Sequence, residues 1–538
     1  GSGKTRILTE RDRYLLTEKP GRFSLLCLPF TNKAAEEMEE RLLDVPGIRE
    51  RTFIGTLHAF ALEILKSRRH ELGYDNMPHI IERENDRKKI IEQVFLENPI
   101  LKKYYDGKEQ KDKQTMLDKY LGIISEAKRY LAVIDENTPG FRDWTVERLT
   151  LYTSYNRLLK EQNLVDFDDL LLLAWRILNE NPAIANLYRR LYKFILIDEA
   201  QDLNYAQYHL VKTLCGEAHS NIFMVGDPRQ SIHGYAGADK KFMLEEFVKD
   251  FGAEKLEIQQ NYRSSQAVID FATRLTLNGV NKDAYYQGIA KVHSFPDEHA
   301  EAEWIISKIK ELVDLEEHEE IEGEITLEKM AILARNRYVF LPLLQKMEQD
   351  EFFNHQYFVK KSTDALEMET RLMKLFDLGS RILCNPSNQV HFHQMLLLLK
   401  IENYESKAAK SGLERLSNLI DALPQDLTLK TEFTTTLASW NKIDPQHPKM
   451  NDALDILREY LNVQALPDEE KTLLHHDLED YQDTWKKFLQ ASSGNNSLTA
   501  FRQFAAMGLN IQRPNQKGLT LATVHMMKGL KFDIVFVM

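Results

Sequence analysis

A chain of 538 residues, 43% of them hydrophobic, exceeds what one core organises, so several domains are expected and a single-domain reading is disfavoured. Seventy Lys and Arg against 82 Asp and Glu leave a formal net charge of −12, which argues against a protein that coats nucleic acid by bulk attraction but permits a local basic groove. Cys27, Cys215 and Cys384 lie far apart without paired metal-ligand spacing, and no apolar stretch is long enough to span a bilayer; the expectation is a cytoplasmic protein without structural disulfides or a membrane partner.

The chain opens Gly1-Ser2-Gly3-Lys4-Thr5, the final part of a phosphate-binding loop followed by a helix-compatible segment. In such a loop backbone N–H groups cradle phosphates, the lysine reaches the outer phosphates and the hydroxyl binds Mg²⁺. Gly-Ser-Gly is also a linker sequence, so the match alone leaves both readings open. Strands are expected at Phe23 to Leu28 and Thr52 to Gly55, with helices from Asn32 to Leu43 and through Leu65; that alternation predicts a parallel sheet. From about Ile80 to Leu151 strand signals vanish, and charged helical periodicity, as in Arg87 to Phe95, predicts a helical insertion.

Strands return at Phe194 to Ile197 and Asn221 to Val225, after the acidic segment Val165 to Leu170. Ile195 and Ile197 fall on one face and Phe194 and Leu196 on the other, as a central parallel strand covered on both sides requires. This strand delivers Asp198-Glu199-Ala200-Gln201-Asp202 to the edge where α/β sheets bind ligands. A helix cap with a first-turn acid would explain the carboxylates. A nucleotide site would use them differently, with Asp198 on Mg²⁺ and Glu199 on water. Lys4 and Thr5 favour the second reading because they supply its phosphate-side half.

A second α/β stretch begins near Leu256, with helices around Ser265 to Leu277 and Ala300 to Val313 and a strand at Met330 to Ala334. From roughly Asn388 to Pro514 the pattern is helical, broken near Pro424, Pro445 to Pro448 and Ser492 to Asn496. Strands at Leu519 to Val524 and Phe532 to Val537 return to the second sheet. His391, His393, His475 and His476 lack accompanying ligands at metal spacing and are expected on helix faces.

Five segments occur in the order of the motifs of superfamily 1 DNA helicases of the UvrD, PcrA and Rep type, which the chain resembles over nearly its whole length. They are Pro29-Phe30-Thr31-Asn32-Lys33-Ala34-Ala35-Glu36-Glu37-Met38, Gly55-Thr56-Leu57-His58-Ala59-Phe60, Gly226-Asp227-Pro228-Arg229-Gln230-Ser231-Ile232, Asn261-Tyr262-Arg263-Ser264, and Thr523-Val524-His525-Met526-Met527-Lys528-Gly529-Leu530. The resemblance implies an α/β fold of two RecA-like P-loop domains with parallel sheets, each carrying a mostly α-helical insertion. The expected boundaries are 1–78 and 155–252 for the first motor domain around an insertion at 79–154. For the second domain they are 253–388 and 516–538, around an insertion at 389–515.

The implied activity is ATP-dependent translocation 3′-to-5′ on single-stranded DNA with duplex unwinding, in repair or recombination, using ATP and Mg²⁺. Single-stranded DNA, single/double-strand junctions and repair or replication proteins are the implied partners. Carried over by position, Lys4, Glu199, Gln230 and Arg263 are catalytic, Gln230 sensing the γ-phosphate and Arg263 stabilising transition-state charge. Gly1, Ser2, Gly3, Lys4, Thr5, Arg6, Tyr262 and Gly529 bind nucleotide, Tyr262 stacking on adenine, and Thr5 and Asp198 bind the metal. Phe30, Thr31, Asn32, Thr56, His58, His233, Tyr235 and His525 face DNA. Plainer readings stand beside these: Phe30 as core, Thr31 or Asn32 as a helix cap, His58 as a buried hydrogen-bonding histidine.

The chain departs from the family pattern at Ala236, where an arginine is usual, at His233 in place of tyrosine, and at Lys531, where a glutamate normally contacts the nucleotide sugar. A cation cannot accept a hydrogen bond from a ribose hydroxyl. The resemblance starts inside the phosphate loop and stops before the family's last motif, so this span by itself is expected to be unstable or to hydrolyse ATP poorly. Two alternatives remain beside the motor: the motor subunit of a helicase-nuclease, and a nucleotide-dependent DNA-binding scaffold with impaired motor activity.

Overall fold

The computed structural model describes residues 3–538 other than 20, 133–143, 217–220, 259, 275–283, 285, 320, 322, 355, 361–365, 403, 406–407, 465, 493, 509–517 and 528–529. Ten strands are described: β1 (Ser24–Leu28), β2 (Thr52–Ile54), β3 (His79–Ile81), β4 (Leu164–Asp166), β5 (Tyr192–Ile197), β6 (Ile222–Met224), β7 (Met330–Ala334), β8 (Tyr357–Val359), β9 (Leu519–Thr523) and β10 (Ile534–Val537). They form one sheet ordered β2-β1-β5-β6, a second ordered β10-β7-β9-β8, and a small β3-β4 pair, every pairing parallel.

The first sheet is covered on both faces, which is why its strands read as unbroken apolar runs. Leu26, Leu28, Ile195 and Ile197 enter a core shared with Phe60, Ile64, Leu170, Ile177 and Leu210. Leu25, Cys27, Phe194 and Leu196 face the opposite core, against Leu8, Leu15, Met38 and Leu42. β5 is thus the central strand that the alternation of its residues predicts. The second sheet is built likewise around Ile332, Leu519 and Leu521, and Gly518, at φ 111, lets β9 start against β8: a Cβ there would lie 1.9 Å from the Gln356 carbonyl oxygen.

Helices Glu84–Glu97, Pro99–Tyr105, Gln110–Arg129 and Val146–Glu161 share a core of their own around Ile90, Phe95, Leu121 and Tyr155. β3 stands at the entrance of this segment, where strand signals were expected to be absent. Its three residues are too few for a period-two pattern to show, and its pairing with β4 forms across a long sequence gap. A larger helical cluster contains Leu427–Trp440, Met450–Val463, Asp468–Ala491 and Leu498–Ala506, packed on Phe433, Trp440, Tyr481 and Phe501. Helix Arg371–Cys384 belongs to it as well: Gly379 passes so close beneath Trp440 that a Cβ would sit 2.1 Å from the indole.

A buried charge cluster ties the two helical regions together beside β3. Glu82 accepts from Arg381 and from Arg502 at 3.1 Å each, and Asp377 accepts from the same two arginines at 2.9 and 2.7 Å. Burial disfavours the ionised Asp377, but Arg381, Arg502 and Arg83 outweigh it and hold the carboxyl well below the usual range. His391 is buried in the same region, its Nε2 3.3 Å from Asp86 Oδ2, and serves as a hydrogen-bonding core residue. Among the described residues no three His, Cys, Asp or Glu side chains group as a metal site, and no helix is long and apolar enough to cross a membrane.

Candidate nucleotide site and nucleic-acid edge

Parallel strands bring the C-terminal ends of β1, β2, β5 and β6 to one edge, so the segments that follow them gather there. Helix Lys4–Glu18 starts at the same edge with Gly3 in the left-handed region at φ 79, and nothing lies within 4 Å of where a Cβ would project. Its first turn carries no acidic residue, which leaves the unpaired N–H groups and the positive end of the helix dipole available to an anion.

Thr5 Oγ1 donates to Asp198 Oδ2 at 2.9 Å, joining this helix to the end of β5. Asp198 is only 3% exposed, and its N–H continues the ladder to the Leu28 carbonyl. Burial pushes its carboxyl pKa up and Glu199 adds to the rise, while the Thr5 hydroxyl, the Glu199 N–H and the Lys4 charge oppose it. A hydroxyl beside a carboxylate is the oxygen donor chemistry that Mg²⁺ takes, so Thr5 and Asp198 fit that ion.

Glu199 sits in the left-handed region at φ 49, a conformation costing a non-glycine residue roughly 1–2 kcal/mol. The fully buried Gln201 holds its carboxylate: Nε2 donates to Glu199 Oε2 at 2.5 Å and to Asp202 Oδ2 at 3.3 Å, while Oε1 accepts the Asp227 N–H at 2.8 Å. Gln230 Nε2 donates in turn to Asp227 Oδ2 at 3.1 Å. Gly226 admits this packing, since a Cβ there would lie 2.5 Å from Gln201 Oε1. Glu199, Gln201, Asp227 and Gln230 therefore form one hydrogen-bonded chain along the sheet edge.

The aromatic candidates meet farther along. Phe30, half-buried after β1, lies 5.3 Å from the His233 ring at an interplanar angle of 30°. Thr31 and Thr56 each cap a helix, accepting from Ala34 and Ala59 N–H at 3.2 Å. Asn32 Nδ2 donates to the Met507 carbonyl at 2.7 Å, a link to the large helical cluster that no local pattern signals. The His58 ring is 5.8 Å from Phe167; burial lowers its pKa and Asp168 opposes. His525 is exposed in the turn after β9. The Tyr235 side chain and Gly1, Ser2 and Gly529 lie outside the described residues.

Arg263 is not drawn into this assembly. It is exposed, and its side chain makes no hydrogen bond or ion pair among the described residues; its N–H donates to Asn261 Oδ1 at 2.9 Å and its carbonyl accepts from Tyr286. Tyr262 is 59% exposed with its hydroxyl on Gln260. Arg6 is exposed at the start of the first helix, and Lys531 is exposed beyond β9.

Residues 1–252 match the family model described as the UvrD/REP helicase N-terminal domain, and residues 256–538 match that of the UvrD-like helicase C-terminal domain. The chain belongs to the UvrD/REP helicase family. Among its relatives, the ATP-dependent DNA helicase PcrA of Bacillus subtilis (strain 168) is 28% identical over 588 residues, covering 100% of this chain and 74% of the relative. PcrA of Staphylococcus aureus (strain Mu50) is 27% identical with the same coverage, and that of Staphylococcus epidermidis 26%. As a UvrD/REP-type helicase the chain is an ATP-dependent DNA helicase, and the two matched regions carry its two α/β sheets.

Proposed function

We propose that this UvrD/REP-type helicase hydrolyses ATP where helix Lys4–Glu18 meets the end of β5, and uses the cycle to move 3′-to-5′ on single-stranded DNA. Duplex unwound in this way would serve DNA repair or recombination. The 2.9 Å contact between Thr5 and Asp198 carries the reading, because it joins a phosphate-binding helix end to an acidic strand end across 193 residues. Thr5 and Asp198 would hold Mg²⁺, which would supply charge neutralisation to the phosphoryl oxygens. Lys4 and the open first turn bind the outer phosphates, and Glu199 orients the attacking water and takes its proton. Gln230 senses the γ-phosphate through its place in the Glu199 chain. Arg263 contributes its guanidinium to the transition state, and Tyr262 its ring to the adenine. On the DNA side the Phe30 and His233 rings offer faces to unpaired bases.

The test is ATP hydrolysis with and without oligo(dT), in the wild type and in Glu199→Gln. Loss of the base should lower the stimulated kcat by about 10²- to 10⁴-fold while nucleotide affinity holds. Displacement of streptavidin from either end of a biotinylated oligonucleotide reads polarity, and the 5′-terminal block should be cleared faster. Absence of DNA stimulation, with Glu199→Gln behaving as wild type, would sink the motor reading.

A further inference from the structure

Helix Gln110–Arg129 of the first insertion ends against the first sheet's domain, and its last residues are held there one by one. Lys128 is fully buried, its Nζ 2.9 Å from Asp166 Oδ2 and 2.7 Å from Asp169 Oδ1. Leu131 closes the helix in the left-handed region at φ 55, its N–H donating to the Lys128 carbonyl at 2.9 Å. That conformation is disfavoured for a branched side chain, and Leu131 adopts it while buried in the core beneath the sheet. Between these two anchors stand Arg129 and Tyr130, which neither anchor requires.

Arg129 reaches the glycine that follows the turn Gly234–Ala236: a Cβ on Gly237 would sit 3.9 Å from Arg129 Cδ. Its Nε is 3.7 Å from Asp168 Oδ1, too far for a hydrogen bond, while Arg87 divides itself between Asp168 at 3.3 Å and Asp166 at 3.2 Å; among the described residues the Arg129 fork makes no hydrogen bond. The turn itself, from His233 to Ala238, contains no lysine or arginine. Tyr130 is 60% exposed, with its ring 5.4 Å from that of Tyr205, which lies 3.9 Å from the His209 ring. A forked cation and a partly open aromatic pair, fixed on a rigid helix end, match the two faces of unpaired DNA: phosphate and base.

We infer that Arg129 and Tyr130 extend the single-stranded DNA path past the Gly234–Ala236 turn onto the first insertion, Arg129 taking a backbone phosphate and the Tyr130–Tyr205 pair taking a base. The insertion thereby supplies the cation that the turn, with Ala236, lacks. This rests on the reading of the sheet edge as a path for single-stranded DNA.

Fluorescence anisotropy of labelled oligo(dT) over a range of salt concentrations tests it, on the full chain with folding checked by circular dichroism. Arg129→Gln should flatten the dependence of log K on log salt by about 0.7, the share of one phosphate contact on a single strand, and Arg129→Lys should keep it. Tyr130→Ala should weaken oligo(dT) binding about tenfold while leaving an abasic oligomer of equal length unaffected, and Tyr130→Phe should bind as wild type. Adding Ala236→Arg to Arg129→Gln should restore the slope. If Phe30→Ala weakens binding while Arg129→Gln and Tyr130→Ala keep wild-type affinity and slope, the inference is overturned and the edge reading stands. If the wild type does not bind oligo(dT), the edge reading fails and takes the inference with it.

Discussion

Gln201 donates to the Glu199 carboxylate at 2.5 Å, and the oxygen of the same amide accepts the Asp227 N–H at 2.8 Å. Carboxylates here accept and N–H groups donate, so the amide has a single workable orientation. A shift of Glu199 must therefore move Gln201, and with it the segment that carries Asp227 and Gln230. Buried and fully paired, Gln201 is the mechanical link between the carboxylate proposed to act on water and the strand end that leads to the Phe30–His233 ring pair.

Replacing Gln201 with alanine removes a hydrogen bond to a charged group and leaves the Glu199 and Asp202 carboxylates without their shared donor. Such bonds contribute about 1.5–3 kcal/mol. The DNA-stimulated kcat should fall by about 10- to 100-fold, whereas nucleotide affinity, measured with a fluorescent ATP analogue, should change less than about threefold. Equal losses in affinity and kcat would mean that Gln201 only supports the nucleotide pocket.

Asp12 lies fully buried on the first helix, beneath the sheet, with Cys27 Sγ donating to its Oδ2 at 3.2 Å and, among the described residues, no partner for Oδ1. Burial raises its pKa from 3.8 to about 7, with the Cys27 contact and Arg11 opposing. The folded state then holds a proton that the unfolded chain has released, so this group's stabilisation is complete below pH 3.8 and declines as pH rises toward 7. The decline amounts to at most about 4 kcal/mol. Urea midpoints of the wild type should fall across that window relative to those of Asp12→Asn, and the two curves should run parallel above it. Parallel curves throughout would show that Asp12 is ionised in the fold.

Lys128 is the buried counter-ion of Asp166 and Asp169, whose side chains and N–H groups form the reciprocal cap of helix Phe167–Glu180. Burial opposes the charge on Asp166, but Arg87 and Lys128 outweigh it and hold that carboxyl well below its ordinary range. Lys128→Met should destabilise the chain by about 3–5 kcal/mol, because it strands two carboxylates rather than because the ion pair is itself strong. Chemical denaturation measures the loss, and hydrogen exchange should locate it at the start of helix Phe167–Glu180. A loss below about 1 kcal/mol would mean that Arg87 alone suffices.

The sheet edge was legible because motif residues are local and strands announce their faces. Ile195 and Ile197 enter one core and Phe194 and Leu196 the other, as their alternation requires. Thr31 and Thr56 show the limit of that reading: both cap helices, and a cap and a DNA contact draw on the same residue types. Arg263 shows another, since a motif names the residue without saying how far the second sheet's domain stands from the first.

What the sequence determined alone was the order of the parts: Gly-Lys-Thr helix start, acidic strand end, glutamine turn, arginine segment, and two parallel sheets interrupted by helices. Only the tertiary structure decided which side chains meet. Arg502 reaches Glu82 across 420 residues, Asn32 reaches Met507, helix Arg371–Cys384 joins the large helical cluster, and Arg129 comes to rest beside Gly237. Helix and strand periods arise from backbone geometry repeating every few residues, so they are written locally. Contacts between distant side chains depend on how packed surfaces fit, and no local period records that.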